Sequence, residues 1–399
     1  MYKFRGIRTI EDLKGKKVLL KLDLNLSLDE DKKVNTDSIL RIESILPTMA
    51  YLIDRGAKIV IIAFLGRPEG KFVKELRMDP VAELLSKYIN KEVKKLDSCL
   101  SEDIKNDIDE MSDADVLLLE NIRFYKEEKE NDDKMAKSLT ELFDIYVNDA
   151  FSSAHRNHMS SSAIINFLPS YVGFKFQEEI ENLDGILKSN CNNRLLILGG
   201  AKIKTKLVLI EKLIDKFDNI LLGGVMANTF LKARGINIGK SVFEKECLES
   251  AKKIDSNKII LPEDALVSDE IALTSKASVK KIKDMNSEDL ILDIGPETTK
   301  SFLKYINNTE LIIWNGPMGY FELNQFKNGT QELIVEMVKS KSKIYTGGGE
   351  TITMLNEMNM IQDFDFVSTG GGAMLEFLAG NELPTLKALE DNFSKFNKK

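Results

Sequence analysis

The chain has 399 residues, 43% of them hydrophobic, and its 56 basic and 63 acidic side chains leave a formal net charge of -7. That length exceeds the roughly 250 to 300 residues at which one core stops growing, so two domains are expected. The acidic balance excludes a general field for polyanions: nucleic acid is not an expected partner, and any anion site must be local.

Cys99, Cys191 and Cys247 form no CxxC pair, which argues against a disulfide framework and for a reducing compartment. The N-terminal "MYKFRGIRTIEDLKGKK" lacks a signal-peptide apolar stretch, and no apolar run approaches the roughly 18 residues of a membrane span. A soluble, cytoplasmic chain with no membrane partner is expected.

Short β-branched runs alternate with segments of helical period, the pattern of a parallel sheet covered on both faces. In the first half the predicted strands are "KVLLKLDLN", "KIVIIAFLG", "DVLLLENIRF" and "DIYVNDAF". After the first, a helix capped by Thr36 or Asp37 places Ile42, Ile45, Met49 and Leu52 on one face. A second predicted helix, "MDPVAELLSKYI", has Asp79 as its cap and Pro80 at the first helical position. "YVGFKFQEEIENLDGILKSNCNN" reads as a connecting helix. A second strand series follows: "RLLILGG", "NILLGG", "LIIWNGP", "KIYTGGG" and "FDFVSTGGG".

Ligands of open α/β sheets bind at the carboxyl ends of strands. The second series ends there in glycines: Gly199 and Gly200, Gly223 and Gly224, Gly316 and Gly319, Gly347 to Gly349, and Gly370 to Gly372. Glycine admits an anion close to backbone N–H groups, and a following helix adds its positive end. Five such turns point to a nucleotide. No GxGxxG occurs, which disfavours a dinucleotide enzyme. "GINIGKS" (residues 235–241) has three residues between its glycines where a P-loop has four, and it follows a helical segment. Lys202 and Lys206, four apart after a glycine turn, are placed to reach phosphate oxygens.

First-half strand ends carry Asp23 and Asn25, Arg67, Arg123 and Arg156, with Arg41 in the helix after the first strand. The arginine fork recognises carboxylate and phosphate, so several at one sheet edge imply a small, highly anionic ligand. The only histidines, His155 and His158, lack the further ligands of a zinc site and read as structural or as supporting residues behind a site. No nucleophile elbow occurs, and covalent catalysis is not indicated.

In this order the chain carries "LDLN", "LGRP", "ENIRF", "NDAF", "AHR", "LGGAK", "MANTFL", "LPED", "DIGPET", "WNGPMG", "FE", "GGGET" and "STGGGA". Together these resemble the phosphoglycerate kinase family over essentially the full length. The resemblance implies two doubly wound α/β domains: a substrate domain over 1–171, a connecting helix over 172–190, a nucleotide domain over 191–379, and a tail over 380–399 returning to the first domain. It implies transfer of the acyl phosphate of 1,3-bisphosphoglycerate to ADP, giving 3-phosphoglycerate and ATP with Mg²⁺, by a monomer whose domains close.

By motif, Asp23, Asn25, Arg41, Phe64, Gly66, Arg67, Arg123 and Arg156 would hold the glycerate substrate. Gly200, Ala201, Lys202, Lys206, Asn315, Glu322, Gly347, Gly348, Gly349, Glu350 and Thr351 would serve the nucleotide, with Glu322 on the ribose and Glu350 on the metal. Arg41, Lys202, Gly349 and Gly372 would act on the transferring phosphoryl group.

Several positions depart from the family's usual pattern. Phe64 stands where a histidine usually precedes "LGRP", Lys21 where an arginine stands, Ser27 for a proline, Ser152 for a glycine, Thr205 for an aspartate, Val225 for a third glycine, and Glu350 for the metal-binding aspartate. Glutamate supplies the same oxygen chemistry with a longer reach. The expectation is a working enzyme weakened at these positions; the alternative is a catalytically silent, nucleotide-binding paralogue. A kinase for a singly charged carboxylate such as acetate is disfavoured, because such a ligand needs fewer arginines.

Overall fold

Continuous apolar strands need cover on both faces, and the chain supplies it twice. The computed structural model describes residues 2–27, 38–254 and 256–396. They divide into two units, Met1–Leu187 with Asn381–Lys399, and Lys188–Gly380.

The first unit is built on six parallel strands, β1 (Lys17–Leu22), β2 (Lys58–Ile62), β3 (Val93–Lys95), β4 (Val116–Leu118), β5 (Ile145–Asp149) and β6 (Ser170–Val172). They pair in the order β3-β4-β2-β1-β5-β6, with Val18 opposite both Ile59 and Ile145. Helices α1 (Ile39–Asp54), α2 (Asp79–Tyr88), α3 (Ser101–Asp109), α4 (Lys126–Glu130), α5 (Asp133–Thr140) and α6 (Phe174–Lys188) accompany them.

On α1 the residues picked out by periodicity, Ile42, Ile45, Met49 and Leu52, are all buried. Its expected cap, Thr36 or Asp37, lies outside the described residues. At α2 the expectation is corrected. Met78 is the capping residue, Asp79 begins the helix, and no side chain caps it. The Asp79 carboxylate is instead drawn aside by Arg77 Nε, 2.8 Å away. The segment read as a connecting helix forms α6. Asp149 Oδ1 accepts from Phe176 N at 2.8 Å and Thr48 Oγ1 from Phe174 N at 2.9 Å, satisfying first-turn donors.

The second unit has a six-stranded parallel sheet and a small antiparallel one. Its strands are β7 (Arg194–Leu198), β8 (Asn219–Leu222), β9 (Ile259–Ile260), β10 (Asp264–Ser268), β11 (Ser278–Lys281), β12 (Leu290–Ile294), β13 (Leu311–Asn315), β14 (Lys343–Gly347) and β15 (Phe366–Ser368). The parallel order is β15-β14-β13-β7-β8-β9, and the antiparallel order is β11-β10-β12. The latter sheet was not foreseen: its strands are short, and β11 is largely exposed.

Helices α7 (Ile203–Leu213), α8 (Gly224–Ala233), α9 (Leu248–Lys253), α10 (Pro296–Asn307), α11 (Asn328–Lys339), α12 (Gly349–Glu357) and α13 (Gly371–Leu378) complete this unit. Its core gathers Leu195, Ile197, Ile312, Trp314, Phe302 and Met337.

The last helix, α14 (Pro384–Phe396), belongs to the first unit. Asn392 fastens it: its Oδ1 accepts from Ser170 N at 3.0 Å and its Nδ2 donates to Leu168 O at 2.7 Å. Among the described residues no helix is long and apolar enough to cross a membrane.

Candidate anion sites

In the first unit, the loops after β2, β4 and β5 each deliver one arginine to a common cleft of about 360 Å³. It is lined by Arg67, Arg123 and Arg156, with Glu69, Gly70, Tyr125, Glu128, Lys129 and His158. These arginines are not neutralised pairwise. Burial, then the neighbouring Arg156, pull the Arg123 guanidinium down to about 10. Arg123 Nη1 donates to Gly66 O at 2.7 Å, whereas its buried Nη2 has no partner among the described residues. Such a cluster has the chemistry to receive a multiply charged anion.

Asp23 and Arg41 pair with one another through Oδ2 and Nη1. Asn25 Oδ1 accepts from Gly66 N at 2.8 Å, so it shapes the "LGRP" turn.

Beneath the cleft runs a buried polar chain. Lys21, expected as a charged stand-in for a forked side chain, is fully buried, and its Nζ donates to Ser160 Oγ at 2.8 Å. Ser160 Oγ and Ser160 N both donate to the Glu128 carboxylate at 2.8 Å, and His158 Nδ1 lies 3.7 Å from Glu128 Oε1. Burial lowers the Lys21 ammonium to about 8. Burial alone would raise the Glu128 carboxyl, but His158, Lys21 and Ser160 hold it down to about 2. Burial, then Arg156, lower His155 to about 4, so it is uncharged at neutral pH. Phe64 is only 6% exposed, with the Arg123 guanidinium carbon 3.5 Å from its ring centroid. Glu128, Lys129 and Tyr125 were missed by the sequence reading; the only signal was their closeness to "ENIRF".

In the second unit, the strand order places β7 beside β13, where the connections turn to opposite sides of the sheet. This is the switch point at which such sheets bind ligands. Lys206 Nζ donates there to Gly199 O at 2.8 Å and to Asn315 O at 3.3 Å. Burial lowers the Lys206 ammonium to about 8, with Glu350 opposing.

The turns are packed too closely for side chains. A Cβ at Gly199 would meet Pro317 O at 2.0 Å, and one at Gly371 would meet Gly348 N at 2.5 Å. Gly348 has φ of 108°, a region that only glycine enters without strain. Asn315 Nδ2 donates to Gly347 O at 2.5 Å, and the fully buried Thr351 Oγ1 accepts from Gly316 N at 2.8 Å. Thr351 therefore ties two turns together.

Helix starts differ according to place. Asp264 carboxylate oxygens accept from Glu297 N and Thr298 N at the start of α10, and Asp293 Oδ2 from Gly329 N in α11. By contrast α7, α8, α12 and α13, which open directly from the glycine turns, have no side-chain cap. Gly224 N in α8 donates to Met318 O at 2.8 Å; among the described residues the first-turn N–H groups of α7, α12 and α13 remain available to an anion.

Ala201, Lys202, Gly349, Glu350 and Gly372 stand at these starts, all but the half-buried Glu350 exposed, and nothing lies within 4 Å of the point where a Gly349 Cβ would sit. Gly200 reaches the same place: a Cβ there would lie 2.9 Å from Glu350 Oε2. Glu322 is exposed and makes no hydrogen bond or ion pair among the described residues. The P-loop look-alike is not a cradle, since Lys240 pairs with Glu288 at 3.0 Å and a Cβ at Gly239 would meet Asp289 O at 2.2 Å.

A guanidinium cleft at one sheet edge and uncapped helix starts at the switch point of another give this two-unit α/β protein groups whose chemistry suits small anions on each unit. The chain belongs to the phosphoglycerate kinase family, whose profile, described as "Phosphoglycerate kinase", matches residues 7–381. It is 43% identical over 388 residues to the phosphoglycerate kinase of Dictyoglomus turgidum, covering 96% of this chain and 97% of that one. It is 40% identical to that of Geobacter metallireducens, covering 97% and 99%. Its fold is similar to the phosphoglycerate kinase structures from Coxiella burnetii (TM-score 0.81, 37% identity, 98% and 99% covered) and Pyrococcus horikoshii (TM-score 0.87, 30% identity, 99% and 100% covered).

Proposed function

We propose that this chain is a glycolytic phosphoglycerate kinase that transfers the acyl phosphate of 1,3-bisphosphoglycerate to ADP, reversibly, giving 3-phosphoglycerate and ATP. The observation that carries this reading is the gathering of Arg67, Arg123 and Arg156 on one cleft with an unpaired buried guanidinium nitrogen. A ligand with a phosphate and a second anionic group suits it; acetate, with one charge, does not.

The glycerate would sit on the first unit, held by the cleft arginines, with Asp23 and Asn25 fixing Arg41 and the Gly66 turn and Phe64 lying against Arg123. The nucleotide would sit on the second, its phosphates against Gly200, Ala201, Lys202, Lys206 and the Gly347, Gly348 and Gly349 turn, with Glu322 on the ribose. Asn315 and Thr351 keep those turns in register.

In the forward direction a terminal oxygen of ADP attacks the acyl phosphorus while the bond from phosphorus to the carboxyl oxygen breaks. The carboxylate leaves with the electron pair and needs no proton, so no general base is required. The protein must align the atoms and stabilise the spreading charge, the part assigned to Arg41, Lys202 and the N–H groups around Gly349 and Gly372. Because the two ligands belong to different units, turnover requires that these approach and exclude water.

Mg²⁺ fits the donors present. Among the described residues there is no cluster of three His, Cys, Asp or Glu, and Mg²⁺ is commonly held by one or two carboxylates plus substrate phosphates. Glu350, whose carboxylate reaches the Gly200 turn, is its ligand in this reading. The ion would neutralise nucleotide phosphate charge when bound. We further propose that the enzyme is cytoplasmic and monomeric.

A coupled assay of ATP formation from ADP and 1,3-bisphosphoglycerate, run with and without Mg²⁺, tests the proposal. No turnover by folded protein that still binds ADP would favour the silent paralogue, and turnover of acetate but not 3-phosphoglycerate would favour the other kinase.

A further inference from the structure

The three cleft arginines repel one another, and something must hold Arg123 in place. Its Nη1 is committed to Gly66 O at 2.7 Å, and no ion pair to Arg123 exists among the described residues. Glu128 and Asp23 attract it without pairing with it, and its close contact is Phe64: the guanidinium carbon lies 3.5 Å from the ring centroid, and Lys21 Nζ lies 5.1 Å from the same centroid.

An aromatic face attracts a cation through its quadrupole, more strongly where water is excluded. A carboxylate in that position would hold Arg123 as well, but it would also cancel positive charge that the cleft needs for an anion. The ring braces the guanidinium and leaves its charge whole. It also lies where the resemblance leads one to expect a histidine, so it does this work without titrating near neutral pH.

We propose that Phe64 is a positioning residue of the glycerate site, its ring face holding the Arg123 guanidinium so that the nitrogen left without a partner is presented to the phosphorylated carboxylate ligand. The inference rests on the reading of this cleft given above, and it assigns Phe64 an indirect part: it acts through Arg123. Phe64 itself is buried, with its face toward a cation.

The test uses the full chain, with 3-phosphoglycerate titrated calorimetrically and KM measured separately for 3-phosphoglycerate and ATP. Phe64→Leu removes the π face and keeps an apolar side chain, and should raise Kd and KM for 3-phosphoglycerate about 3- to 30-fold. It should leave kcat and the KM for ATP within about twofold. Phe64→Tyr, which keeps the ring, should restore 3-phosphoglycerate affinity to within about twofold of the parent. In an Arg123→Gln background, Phe64→Leu should add less than about twofold, because the group it positions is gone.

An unchanged Kd in Phe64→Leu, equal losses in the Leu and Tyr variants, or additive losses with Arg123→Gln would each overturn the proposal. Should Phe64→Leu not fold, Phe64→Met fills the space without a π face and is read in the same way. If the parent chain binds no 3-phosphoglycerate, the functional reading has failed instead; the brace is then judged with inorganic phosphate as the probe, whose affinity Phe64→Leu must still lower.

Discussion

A single added methyl, at Gly349 or at Gly371, separates two jobs that glycine can do in these turns. At Gly371 the new carbon would lie 2.5 Å from Gly348 N, 2.6 Å from Gly348 Cα and 2.7 Å from Asn315 Nδ2. Two of those neighbours are backbone, so the β14 and β15 turns must separate. Overpacking of this kind costs roughly 1 to 3 kcal/mol. For a unit of this size that is a fall in Tm of about 3 to 10 °C.

At Gly349 nothing lies within 4 Å, and the residue starts α12 without a left-handed φ. Gly349→Ala should therefore leave Tm unchanged or raise it slightly, since alanine favours helix by up to about 1 kcal/mol. Its methyl would occupy the space assigned to a nucleotide phosphate, displacing charge-assisted bonds from the helix start. With about 1.5 to 3 kcal/mol at stake, ADP should bind roughly 10- to 100-fold more weakly. Thermal unfolding and ADP calorimetry on both variants decide the matter. A Gly349→Ala protein that binds ADP like its parent would refute the phosphate cradle, and a Gly371→Ala protein of parental Tm would refute the packing argument.

Arg156→Ala removes one of the three cleft guanidinium groups and should raise the KM for 3-phosphoglycerate roughly 10- to 100-fold, with the KM for ATP unchanged, as steady-state kinetics would show. The Glu128 carboxyl is held down to about 2 in the folded chain. A depressed acid contributes stability that is present above its unfolded value of about 4.5 and lost as pH falls through the folded value. Urea unfolding should accordingly show stability falling by about 1.4 kcal/mol per pH unit from this one group between pH 4.5 and 2. That limb should flatten in Glu128→Gln, which is also less stable at neutral pH because it strands the buried Lys21. Asn392→Ala removes the bonds to Ser170 N and Leu168 O and should cost roughly 2 to 4 kcal/mol in urea unfolding, loosening α14.

Much of the site could be read from the chain because its chemistry is local. A glycine pair directly after an apolar run fixes the close turn and the helix start together, so Gly199 with Gly200 and Gly347 to Gly349 mark themselves. The arginines of "LGRP", "ENIRF" and "AHR" are likewise marked by following strands.

What each arginine does was not local. That Arg41 is paired with Asp23 while Arg67, Arg123 and Arg156 share a cleft depends on β1 lying between β2 and β5, an order set by packing across more than a hundred residues. Lys21 reads on paper as a cation that keeps an arginine's charge without its fork. Its place on an inner strand buries it, and Ser160 and Glu128, distant in sequence, help make that tolerable. Phe64 reads as a lost polar contact until the fold lays Arg123 across its face. The sequence by itself determined which residue types stand at the strand ends, because backbone geometry acts on neighbours. Only the tertiary structure decided which charges are paired and which remain for a ligand, because electrostatic partnership depends on distance in space.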